Sequence, residues 1–158
     1  MTSSINNRPS RSAFTLVEVL VVTTLFVIIF GMVALYSQAS QVRSDLNSQV
    51  AIFVSYARLQ QSEAAAGKSN GSFGVHLESN SYVLFEGSVY DPNNTANDST
   101  VLPPTLAIQN ISLNGGGTDF IFTSPHGETN HYGTLDFYST SLDKTITITL
   151  TSLGTLDY

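Results

Sequence analysis

RSAFTLVEVLVVTTLFVIIFGMVALY, residues 11–36, is the stretch on which the reading of this chain turns. From Val19 to Val42 no charged residue occurs over 24 positions. About 20 apolar residues at ~1.5 Å rise per residue cross the core of a bilayer, so the run is long enough to span. Val, Ile, Leu and Phe crowd it so densely that a buried soluble helix is the weaker reading. Arg8 and Arg11 precede the run, and Asp45 with a polar region lies beyond it. Positive charge on that side places the N-terminus in the cytoplasm and the C-terminal part outside. One residue is out of keeping. Glu18 sits near the start of the run, where a carboxylate costs several kcal/mol unless something pairs with it.

Three fates fit this pattern. A secretory signal peptide would be cut after the run, and Ser37-Gln38-Ala39 offers a small-x-small site. The run is longer than the usual ~7–15-residue core of such peptides. An uncleaved signal anchor explains everything except Glu18. A cut on the cytoplasmic side, before the run, would release only the short basic leader.

Composition narrows the function classes. The 158 residues suit one ordinary domain with an appended segment. Only 11% of residues are charged, and the formal charge is −6. Arg43, Arg58, Lys68 and Lys144 are scattered among a majority of acidic residues, so no basic stripe exists to neutralise nucleic-acid phosphates. The absence of cysteine excludes disulfides, thiolate metal sites and a cysteine nucleophile.

Helical spacing continues beyond the apolar run. Val42, Leu46, Val50, Phe53 and Ala57 fall on one helix face, and RLQQSEAAAG (58–67) ends in helix formers and then Gly67. One helix is expected over 14–66, far longer than the globular average, with about 14–36 in the membrane and the outer half packed on the C-terminal part of the chain. After Gly67 short alternating segments bounded by Gly, Asn, Asp and Pro read as strands. SFGVHL (72–77) and SYVLFEG (81–87) flank a turn at Glu78-Ser79-Asn80. DPNNTANDSTVLPP (91–104) reads as a polar loop. LAIQNISL (106–113), TDFIFTS (118–124), GTLDFYST (133–140) and TITITLTS (145–152) read as a four-strand antiparallel meander, with NGGG (114–117) as its first turn. In the last segment Ile146, Ile148 and Leu150 share a face opposite threonines. The fold class is α+β: a long N-terminal helix on an antiparallel β-domain at 67–158.

SAFTLVEVLVV (12–22) resembles the prepilin cleavage motif of type IV pilins and type II secretion pseudopilins. The likeness combines a basic leader, a small residue before Phe, Thr-Leu, and a Glu at a set offset ahead of unbroken apolar residues. It implies that a prepilin peptidase cuts between Ala13 and Phe14, removes residues 1–13 and methylates the new N-terminus at Phe14. Ala13 stands where the family usually has Gly. The resemblance further implies that Glu18 meets the N-terminal amine of a neighbouring subunit during assembly. YARLQQSEAAAGKS (56–69) and FTSPHGETNHYGTLDF with KTITITLTSLG (122–137, 144–154) are similar to the H-type minor pseudopilins and related minor pilins. Partners implied are the peptidase, other pilin or pseudopilin subunits, an inner-membrane assembly platform and lipid. Some relatives bind DNA through basic residues near the C-terminus; here the tail SLGTLDY (152–158) carries Asp157 and no Arg or Lys, which opposes DNA.

No catalytic set or cofactor site stands out. Ser124, His126 and Glu128 are close in sequence but lack an orienting partner. His126, His131 and Glu128 could share a metal, although histidines in such loops are more often simply polar. DPNNTANDST (91–100) has oxygen ligands but lacks the glycine and the closing Glu of an EF-hand loop. NGGG has no helix behind it to cradle phosphate. The sequence therefore points to a structural protein rather than an enzyme.

Overall fold

The structure, a computed structural model, describes residues 15–68 and 71–158, with the backbone alone over 33–44. The chain divides into two units, Met1–Ala39 and Ser40–Tyr158. The helix α1, Leu16–Ala65, is 50 residues long, against the expected 14–66.

In the first unit α1 starts from Thr15. The Glu18 N–H donates to Thr15 Oγ1 at 3.3 Å and to Thr15 O at 3.1 Å, which makes Thr15 the N-cap and TLVE the sequence form of a capping box. Two further threonines return their hydroxyls to the helix: Thr23 and Thr24 both donate to Leu20 O, at 3.0 and 2.7 Å. That satisfies their polar atoms without water, so they sit in an apolar run at little penalty. Among the described residues no helix is long and apolar enough to cross a membrane. Side chains of this stretch are described only to Met32, whereas the uncharged run in the sequence continues to Val42.

In the second unit the expected stripe is the contact face. Leu46, Val50, Phe53 and Ala57 are fully buried, joined by Val54 and Ala64; Val42 falls outside the described side chains. The helix stops where Gly67 takes φ +68°, a left-handed value that glycine adopts without a Cβ clash, and its N–H donates to Ala64 O at 3.0 Å. Polar groups fasten the helix to distant segments of the chain. Gln61 Nε2 donates to Gly127 O (3.2 Å) and Leu153 O (3.0 Å), and the Arg58 guanidinium donates to Leu156 O (3.0 Å).

Eight strands complete the unit: β1 Ser72–Leu77, β2 Ser81–Glu86, β3 Asp98–Val101, β4 Leu106–Leu113, β5 Asp119–Thr123, β6 Gly133–Ser139, β7 Lys144–Leu150 and β8 Leu156–Asp157. They form two antiparallel sheets of four strands, ordered β3-β2-β1-β5 and β4-β6-β7-β8. The β1–β2 hairpin and the β6–β7 pair stand as expected, and Ile148 and Leu150 face the core while the β7 threonines face solvent.

Three expectations are corrected. The meander is broken, because β5 leaves it and pairs with β1, matching Phe73 to Phe122 and Val75 to Phe120. Those four residues are buried in the core, and the cross-strand aromatic pairing under the helix outweighs the short link to β4. Gly115, Gly116 and Gly117 all have positive φ, so the NGGG segment carries the chain out of the second sheet instead of closing a β4–β5 hairpin. Inside the supposed polar loop lies β3, an edge strand whose residues are mostly exposed and hence polar. The short β8, with Leu156 buried, had no readable signal.

Gly74 shows how tightly the first sheet is filled. It pairs with Phe85, and a Cβ added to Gly74 would clash with the Cζ end of the Phe85 ring. Gly74→Val is therefore expected to lower stability by about 1–3 kcal/mol through overpacking. Denaturant unfolding followed by circular dichroism measures it, and an unchanged midpoint would contradict the packing of that ring.

Candidate functional site at the N-terminal helix

The expected processing residues Ala13 and Phe14 lie outside the described residues. Glu18 lies within them, in the first turn of α1 at the third position after the Thr15 cap. A carboxylate there is favoured by the positive end of the helix dipole, by roughly 0.3–1 kcal/mol. It is exposed, and among the described residues it has no ion-pair partner. Thr15 is a functional neighbour absent from the expected site; the T-x-x-E spacing is the signal that marks it.

Every side chain from Thr15 to Met32 is exposed. Leu16 is 83% accessible, and Val27 71%. The apolar surface runs round the whole helix rather than along one stripe, so no single packed face can cover it. A helix of this kind belongs in lipid or inside a bundle of similar helices. Soluble monomers rarely expose contiguous apolar patches beyond a few hundred Å².

The other candidate residues do not come together as a reactive group. His126 and Glu128 are exposed in the turn between β5 and β6, and no hydrogen bond joins them to the Ser124 hydroxyl among the described residues. His131 is half-buried, with a buried Nδ1 that finds no partner there. No cluster of three metal-ligating residues occurs among the described residues. In the 91–100 segment the oxygens close turns: Asp91 Oδ1 accepts from the Asn93 N–H at 2.9 Å, and Asn94 Oδ1 from the Ala96 N–H at 3.0 Å.

One charged cluster is not legible in the sequence. His76 Nδ1 lies 2.5 Å from Asp119 Oδ1 and its Nε2 3.7 Å from Glu78 Oε1, while the ring stacks on Tyr90 at 4.0 Å. It ties β1 to β5 and to the segment after β2. Its members are spread over more than 40 positions, so no local spacing marks them. Two tyrosines are held in the neutral form: burial raises the Tyr82 pKa above 10.0, the Thr100 side chain opposing in part, and a hydrogen bond to Asp143 raises that of Tyr138.

Residues 8–34 match the family described as the prokaryotic N-terminal methylation motif. The fold is similar to that of the type IV minor pilin FimU of Pseudomonas aeruginosa. The two superpose with a TM-score of 0.52 at 10% identity, over 77% of this chain and 90% of that one. No curated protein matches the chain. The chain thus carries an N-terminal methylation motif over residues 8–34, and its long helix with two antiparallel sheets is a fold similar to that of this minor pilin.

Proposed function

We propose that this chain is a structural minor pilin or pseudopilin subunit, cut between Ala13 and Phe14 by a prepilin peptidase, N-methylated at Phe14, and assembled into a type IV pilus or a type II secretion pseudopilus. The observation that carries this reading is the methylation motif at 8–34, whose residues from Leu16 onward lie on a helix with described apolar side chains exposed on all sides. About residues 14–36 span the inner membrane before assembly, with residues 1–13 in the cytoplasm and the β-domain outside. Lipid, sibling subunits and an inner-membrane assembly platform are its partners. Neither a catalytic role nor a cofactor is assigned to it, and DNA is opposed by its charge.

The chemistry of the cut accounts for Glu18. Cleavage creates an ammonium at Phe14, one residue before the Thr15 cap. A cation at the positive end of a helix dipole is disfavoured, so that ammonium needs an outside anion. Glu18 of an incoming subunit supplies it, and each charge removes the other's desolvation cost.

N-terminal peptide mass, measured on protein from cells that contain a prepilin peptidase, is the test. A methylated peptide beginning at Phe14 is expected, and Ala13→Glu or Phe14→Asp is expected to leave the precursor whole in the membrane. A start at Met1 would identify an uncleaved signal-anchored β-domain, and a start at Ser40 a secreted one; either removes the filament reading.

A further inference from the structure

We draw no further inference here: the strongest candidate, the cluster of His76, Asp119 and Glu78 on the first sheet, is matched within the fold, each ring nitrogen of His76 facing a carboxylate of this chain and the ring stacking on Tyr90, and nothing among the described residues points to a ligand for it.

Discussion

Glu18→Val is expected to be cut and inserted like the unaltered subunit, yet to be missing from filaments. Substitution of Glu18 removes a first-turn acid worth only about 0.3–1 kcal/mol to the helix, too little to unfold a segment of 50 residues. What it removes at assembly is larger. The ammonium of the neighbouring subunit would be left without its anion in a low-dielectric bundle, and breaking a buried pair from one side costs about 3–5 kcal/mol. Each 1.4 kcal/mol is roughly a tenfold change in an equilibrium constant, so the subunit would be outcompeted by a factor of hundreds to thousands. Immunoblotting of sheared filaments against the membrane fraction measures the partition. Wild-type levels of Glu18→Val in the sheared fraction would end the ion-pair explanation while leaving the processing claim intact.

Phe53→Ala is expected to have the largest effect on the β-domain. Phe53 is fully buried and touches both sheets. Its ring meets Tyr82 of β2 edge-on at 5.1 Å and Phe120 of β5 at 6.3 Å, and lies 5.1 Å from Phe137 of β6. Removing it deletes the aromatic that fills the space where helix and both sheets meet. A cavity of that kind costs about 3–5 kcal/mol for Phe→Ala, a large part of the 5–15 kcal/mol that typically holds a domain together. A strongly reduced unfolding midpoint by circular dichroism is expected, whereas a loss below about 1 kcal/mol would mean that the site collapses easily and that Phe53 is not the centre of the core.

Much of this architecture was legible because it rests on local pattern. The stripe from Leu46 to Ala57 repeats at helical spacing, and burial along it comes from that spacing alone. The β7 alternation announced which face would be inside. Pairing partners are different. Strand β5 has the same alternation whether it lies beside β4 or β1, since alternation specifies a face and not a neighbour. The same limit hid the polar edge strand β3, and it hid the His76 cluster, whose members meet only after β1 and β5 are paired.

The sequence by itself determined the N-terminal pattern: two arginines, a methylation motif over residues 8–34 that contains Glu18, and a long uncharged apolar run. Those features need no tertiary contact, because they are properties of one continuous segment and of its transfer free energy. Only the tertiary structure decided how the strands divide between two sheets and which side chains meet at His76. Both depend on residues far apart in the chain, brought together by burial of the aromatics around Phe53, and no local period carries that information.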